Sequence, residues 1–276
     1  MSNNQERVYQ LLQMSEIKIS EFGIDRLEKL NIVNRTLPNF GMSYISEGTA
    51  KIVIRDHTFV TEPGMVCIFP PIEPHDHIKI SSEPAQFYWW IFEMRIFGAI
   101  DTLKLIHLPI TFRLLHTSEF EKCFTEYVKL KEAKECQPHI TFYEKAKELE
   151  IVSLLLEGAV NSNMIIGNKN IPARFIDILF DLLCTNDRHS SLKELSKRYN
   201  MHPNYLSGRF KHYFDIPPMV LHHTSLMEVA KTMLTNSTFN VSEIADSLGF
   251  ESLYSFSRFF TSHLGLSPSA YRKRKT

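Results

Sequence analysis

Two different periodicities divide the chain. Between residues 16 and 95, short runs rich in β-branched and aromatic side chains occupy 32–35, 42–46, 50–55, 58–61, 65–69, 77–80 and 87–94. Gly, Pro, Asp and Ser separate them, with turns near Asp56-His57 and at Pro63-Gly64, and Pro70-Pro71 closing a buried strand. This spacing predicts a small antiparallel β-barrel or sandwich. From residue 118 the apolar period becomes helical: Phe120, Phe124, Tyr127, Val128 and Leu130 mark one amphipathic helix. A second runs over 140–160, where Ala146, Leu149, Val152, Leu155, Leu156 and Ala159 spread over more than one stripe. So wide an apolar surface packs on two neighbours within one subunit, or pairs with its own copy in a dimer. Residues 161–170 (NSNMIIGNKN) are polar and contain glycine, as a linker does.

The last part of the chain writes one pattern twice, as LKELSKRYNMHPNYLSGRFKHYF from Leu192 and VSEIADSLGFESLYSFSRFFTSHLG from Val241. In the first copy Leu192, Leu195 and Tyr199 recur at helical spacing, Asn200 stops the helix and Pro203 starts the next. In the second, Ser242 is the expected cap of a helix carrying Ile244, Ala245 and Leu248, and Gly249 permits the tight turn. The second helix of each copy buries Leu206 and Phe210, or Phe256, Phe259 and Phe260. Outward are left Asn204, Ser207 and Lys211, and Ser252, Ser255 and Arg258, side chains able to meet base edges or phosphates. Residues 218–234 between the copies suit one helix of roughly 26 Å. Such a strut can hold two recognition helices about one duplex turn apart, ~34 Å. A helical bundle that never touches nucleic acid can also repeat, but here the turn chemistry recurs along with the apolar pattern.

Residues 190–274 resemble the double helix-turn-helix module of the AraC/XylS family of bacterial transcription regulators. The resemblance rests on Ile244-Ala245, Gly249-Phe250, Phe256-Ser257-Arg258, Phe259-Phe260, Gly265, Ser267-Pro268 and Tyr271-Arg272. It implies that His202, Asn204, Tyr205, Ser207, Arg209 and Lys211 in the first unit, and Ser252, Leu253, Tyr254, Ser255 and Arg258 in the second, face DNA. Three positions depart from the family pattern. Leu226 stands where relatives usually have an arginine, and Thr261 where a lysine is common, which removes a phosphate contact. Gly208 occupies a place that often carries a base-reading side chain; glycine reads no base and costs about 1 kcal/mol of helix propensity. One half of the operator is therefore expected to be read weakly, or through shape and backbone contacts.

Residues 30–95 resemble, more loosely, the cupin-type effector-sensing domain of AraC-like regulators, especially those answering to sugars. On residues 87–92, Phe87, Trp89 and Ile91 share one strand face and Tyr88, Trp90 and Phe92 the other. The resemblance places Arg35, His77 and Trp89 where arabinose-responsive members hold their sugar, with Phe87 beside them. An indole stacks on a sugar's C–H face, while Arg and His donate to hydroxyls. The same aromatic residues could equally serve only to fill the barrel. Glu73, His75 and His77 raise the alternative of a metal-binding cupin enzyme or metal sensor fused to a DNA-binding tail. Against it, no glutamate follows four residues after His77, and no matching histidine follows Tyr88.

The 276 residues carry 31 Lys and Arg against 31 Asp and Glu, and 43% are hydrophobic, as expected of a globular protein with room for two domains. From Pro172 onward thirteen basic residues face nine acidic ones, a surplus of four with the sign expected of a DNA-binding end. Cys67, Cys123, Cys136 and Cys184 form no CxxC pair, in keeping with a reducing cytoplasm. No signal-like start or long apolar run is present. No Ser/His/Asp set, phosphate loop or paired carboxylates suggest catalysis, so neither a cofactor nor an enzyme is expected.

The reading is an α+β chain: a cupin-like effector domain at 1–117, a helical dimerisation region at 118–162, a linker at 163–171 and an all-α double helix-turn-helix domain at 172–276. Its expected partners are double-stranded DNA, a small-molecule effector such as a carbohydrate, a second copy of the chain, and RNA polymerase. Activation is the expected outcome, since most relatives activate.

Overall fold

The computed structural model describes residues 3–133, 137–184 and 191–275, so Cys136 lies outside the described residues. The chain divides into two compact units: Glu16–Arg95 with Leu103–Asn168, and Met1–Ser15 with Ile96–Thr102 and Lys169–Thr276. These limits differ from boundaries drawn along the sequence, because the opening helix α1 (Asn3–Gln13) belongs to the second unit. Its Val8 and Leu11 are fully buried, and the Arg7 guanidinium pairs with Asp177.

Along the chain come β1 (Glu16–Leu27), β2 (Asn31–Arg35), β3 (Phe40–Glu47), β4 (Ala50–Ile54), β5 (His57–Thr61), β6 (Met65–Phe69), β7 (His75–Lys79) and β8 (Ala85–Ile96). Shorter strands follow: β9 (Ile100–Asp101), β10 (Ile106–His107), β11 (Thr111–Arg113) and β12 (Ile165–Ile166). One antiparallel sheet runs β1-β8-β3-β6-β11 and a second runs β2-β7-β4-β5. Among the described residues no strand ladder joins the two. The expected barrel is thus an open two-sheet sandwich, its edges left unpaired rather than closed on each other.

β1 has no counterpart among the strands read from the sequence. Its register on β8 slips between Ile19 and Glu21, so the apolar alternation Ile17, Ile19 shifts by one to Phe22, Ile24. A bulge of this kind destroys the period-2 signal while the pairing continues. β8 is buried on both faces, which explains its unbroken apolar run. Tyr88 and Trp90 pack on Phe120 and Phe124 of α2 (Thr117–Ala133), with ring centroids 5.2–6.3 Å apart.

α3 (Pro138–Asn161) approaches β11 closely at Gly158, where a Cβ would lie 2.7 Å from the Arg113 carbonyl oxygen. The buried Glu148 on α3 accepts from Tyr127 at 3.2 Å and from Lys145 at 2.6 Å, so its charge is compensated on both oxygens. The segment expected to be a free linker is partly built in: Ile165–Ile166, an apolar pair inside polar sequence, ladders with β10.

The second unit also holds α4 (Ala173–Cys184), α5 (Leu192–Arg198), α6 (Pro203–Phe214), α7 (Pro218–Asn236), α8 (Val241–Ser247), α9 (Leu253–Leu264) and α10 (Pro268–Lys275). α5 starts on a reciprocal Ser191/Glu194 capping box, and Asn200 takes φ 50° in the turn before α6. α8 starts in the same way on Asn240 and Glu243, two residues earlier than the expected Ser242 cap. Asn240 wins because its oxygen reaches the Glu243 amide at 2.9 Å while the Glu243 carboxylate returns to the Asn240 amide. Gly249 makes the tight turn at φ 75°. Cys67 and Cys123 are buried free thiols and Cys184 an exposed one.

Candidate functional site

In the first unit a cavity of about 260 Å³ opens among β1, β2, β7 and β8. All four sequence-predicted effector residues, Arg35, His77, Phe87 and Trp89, line it. β8 presents Phe87, Trp89 and Ile91 to it by strand alternation, as expected. Asp25 and Ser43, which the sequence reading does not single out, also line it, as does His75, which it considers only as a metal ligand. Asp25 is directly linked: its Oδ2 accepts from the Trp89 indole N–H at 2.7 Å, fixing the ring. Gly23 on the same strand leaves the indole room, since a Cβ there would stand 2.8 Å from it. A partner 64 residues away in sequence left no local signal of this pair.

Strand β7 is extended despite Pro74, so His75 and His77 share one face and flank Phe69, with ring centroids at 4.3 and 5.5 Å. Burial pushes the His77 pKa down to about 4, with His75 and Arg35 adding to the effect. His75 shifts the same way, chiefly by burial. Both rings are therefore neutral at pH 7 and can donate or accept a hydrogen bond. Arg35, exposed at the rim, pairs through its backbone strand with His75, and its guanidinium acts electrostatically on both histidines. Glu73, the carboxylate of the metal alternative, is held instead by Arg55 through both oxygens, at 2.6 and 2.9 Å.

In the second unit the two helix pairs, α5 with α6 and α8 with α9, are present with α7 between them. On α6, Asn204, Tyr205, Arg209 and Lys211 are exposed and Ser207 is half-buried. His202 is exposed too, but its ring caps α6, Nδ1 lying 3.3 Å from the Asn204 amide. Arg209 folds onto Tyr213, donating to its hydroxyl at 2.5 Å. On α9, Leu253, Tyr254 and Arg258 are exposed. Ser252 and Ser255, expected to face bases, are engaged in starting the helix: Ser255 N–H donates to Ser252 Oγ at 3.1 Å, and Ser255 Oγ to the Ser252 carbonyl at 2.8 Å. Local hydrogen bonding competes with recognition for these short hydroxyl side chains.

The departures noted in the sequence also find their places. Leu226 is buried in the core of the second motif with Ala230, Ile244 and Phe256. Arg272 donates to the Leu234 carbonyl at 3.1 Å and to the Phe239 carbonyl at 2.7 Å, capping the end of α7. Gly208 interrupts the outward face of α6, and a Cβ there meets nothing within 4 Å. Gly208→Ala is expected to raise stability by about 0.5–1 kcal/mol, since only the backbone entropy of glycine is removed. Chemical denaturation reads it; a destabilised variant would mean that the position is crowded.

The AraC-like ligand binding domain profile matches residues 24–142, and a helix-turn-helix domain profile matches residues 195–274. The chain belongs to the AraC family. The two profiles stand in the order ligand-binding domain, then helix-turn-helix domain, and both are domains of transcription regulators. It is 33% identical over 98 residues to the uncharacterized HTH-type transcriptional regulator YdiP of Escherichia coli (strain K12), covering 36% of this chain and 32% of YdiP. The chain thus spans about a third of that relative. It is 24% identical over 263 residues to the raffinose operon transcriptional regulatory protein RafR of Pediococcus pentosaceus, covering 87% of each. Among solved structures, the C-terminal domain of the two-component response regulator yesN from Fusobacterium nucleatum subsp. nucleatum is 30% identical. The match covers 34% of this chain and 93% of that one, with a TM-score of 0.32.

Proposed function

We propose that this AraC-type regulator is a cytoplasmic, homodimeric activator whose sandwich cavity takes a small sugar or sugar derivative. The carrying observation is the convergence of Trp89, its Asp25 partner, the rim Arg35 and the neutral pair His75 and His77 on one cavity. An aromatic plate surrounded by donors and acceptors suits the alternating C–H and O–H surface of a carbohydrate. The cavity is smaller than the ~300 Å³ at which pockets for drug-sized ligands begin, which favours a small ligand. RafR, similar over nearly its whole length, bears the name of a sugar operon, and this supports the same reading.

DNA is contacted by α6 through Asn204, Tyr205, Ser207, Arg209 and Lys211, and by α9 through Leu253, Tyr254 and Arg258. The capping residues His202, Ser252 and Ser255 approach the duplex mainly by orienting helix starts. α3 supports pairing with a second copy. Phe142, Ala146, Leu149, Ser153, Leu156 and Val160 follow the alternating four-three spacing of a coiled-coil seam, and Phe142, Leu149 and Val160 are 77%, 59% and 57% exposed. Effector binding shifts an existing equilibrium between operator-bound arrangements of the dimer, and RNA polymerase reads the outcome.

Thermal-shift titration against a sugar panel tests the effector reading. A sugar at about 100 times its Kd stabilises the protein by ~2.7 kcal/mol. Trp89→Ala is expected to weaken that binding at least tenfold. If no sugar raises the melting temperature, or Trp89→Ala binds as well as the native protein, the cavity has another occupant.

A further inference from the structure

On α6, Asn204, Ser207, Gly208 and Lys211 fall on one side of the helix, and the buried Leu206, Phe210 and Phe214 on another. At about 100° per residue, Arg209 stands on the flank between the two faces, and Tyr213 stands one turn further along that flank. Arg209 therefore does not fill the place left vacant by Gly208.

Arg209 Nη2 donates to the Tyr213 hydroxyl at 2.5 Å, and the guanidinium carbon lies 5.0 Å from the centre of the same ring. The half-buried Tyr213 ring is in turn seated on the buried Phe175 of α4, with centroids 4.9 Å apart. The hydroxyl that receives Arg209 is thus placed by a helix outside the α5–α6 pair. Arg7, Arg55 and Arg113 give the contrast, each held by a carboxylate, of Asp177, Glu73 and Glu62 respectively. A carboxylate cancels the charge that it orients, whereas a phenol orients a guanidinium and leaves its charge in place. Arg209 is exposed, and a guanidinium has five N–H donors, so the bond to Tyr213 leaves others for a second acceptor.

An α-helix about 10–12 Å across fills a major groove about 12 Å wide. Its outward face then meets base edges, and its flanks meet the phosphates that rim the groove. We infer that Arg209 is a phosphate clamp at the rim of the groove that α6 enters, not a base reader, and that Tyr213 is the positioning residue that holds it there. This role rests on α6 facing DNA and assigns Arg209 the backbone share of that contact. A tethered arginine gives up less rotamer freedom on binding than one that the phosphate itself must order. The clamp adds affinity whatever the base sequence and fixes the register of α6, while Gly208 reads no base.

In-vitro selection from a random duplex pool supplies the probe, the consensus duplex recovered with the native full chain. Binding to it is then titrated against salt for the native protein, Arg209→Ala, Tyr213→Phe and the double variant. Arg209→Ala should bind about three- to tenfold more weakly, lose about 0.9 from the slope of log K on log salt, and recover the same consensus in its own selection. Tyr213→Phe keeps the ring on Phe175 and removes only the hydroxyl, so it should lose about two- to fivefold with an unchanged melting temperature. Beside Arg209→Ala it should cost nothing further, whereas a merely structural tyrosine would cost the same in either background. A consensus altered by Arg209→Ala makes Arg209 a base reader and overturns the inference. So does a Tyr213→Phe variant that binds as the native chain does, or one whose loss persists beside Arg209→Ala. If the native chain recovers no consensus, or Arg209→Ala binds as tightly as the native chain, Arg209 does not touch DNA, and its place in the DNA face of α6 falls together with the clamp.

Discussion

Phe256→Ala is expected to cost roughly 3–5 kcal/mol and to melt the second helix-turn-helix motif while the sandwich stays folded. Phe256 is fully buried in α9, with ring centroids 5.2 Å from Phe250 and 5.8 Å from Phe260. Around it close Leu226, Ala230 and Leu234 from α7 and Ile244, Ala245 and Leu248 from α8. Such short helices are not stable alone, so this shared core is what holds α8 and α9 in place. With total stabilities of about 5–15 kcal/mol, a loss of this size removes most of the margin of so small a core. Phe259, only partly buried in the same cluster, is the comparison: its alanine variant should cost less. Denaturation followed by helical circular dichroism gives both numbers. A cost below about 1 kcal/mol for Phe256→Ala would mean that the ring is not packed as described.

Acid should destabilise the sandwich through His77. Its folded pKa lies at about 4, mainly through burial and secondarily through His75 and Arg35, against an ordinary value of 6.5. Well above pH 6.5 the ring is neutral folded or unfolded and costs nothing. Between pH 6.5 and about 4 the unfolded chain binds a proton that the folded chain refuses. Stability therefore falls with falling pH, by up to ~1.4 kcal/mol per unit and by roughly 3 kcal/mol in all. His75, depressed in the same direction, adds to the loss in the same acid range. Melting temperatures measured from pH 7.5 to 4.5 should show a steeper decline for the native protein than for His77→Gln. Parallel curves would place the acid sensitivity elsewhere. If a sugar binds beside His77, it should also bind more weakly where the acid-stressed pocket opens.

Much of the architecture was legible because the relevant forces are local. Helical spacing of Leu206 with Phe210, and of Phe256 with Phe260, puts each pair on one face whatever surrounds it, and both pairs are fully buried. Strand alternation likewise delivered Phe87 and Trp89 to one cavity. The errors arose where two local choices compete. Ser242 and Asn240 are both good caps, and the choice between them depends on whether Glu243 can complete the box. Ser252 and Ser255 meet a similar competition, though no error follows from it: the hydroxyls expected to face bases also hydrogen-bond within the turn that starts α9.

The sequence by itself determined the repeated helix pairs, the β-rich and helical halves and the aromatic strand of the cavity, since each follows from spacing within about ten residues. Tertiary structure alone decided that α1 packs with the C-terminal helices, that β1 continues past its bulge beside β8, and that Asp25 holds the Trp89 indole. Those contacts join residues distant along the chain. Their energy comes from burial and hydrogen bonding between partners that no local period relates, so they exist only once the chain has closed on itself.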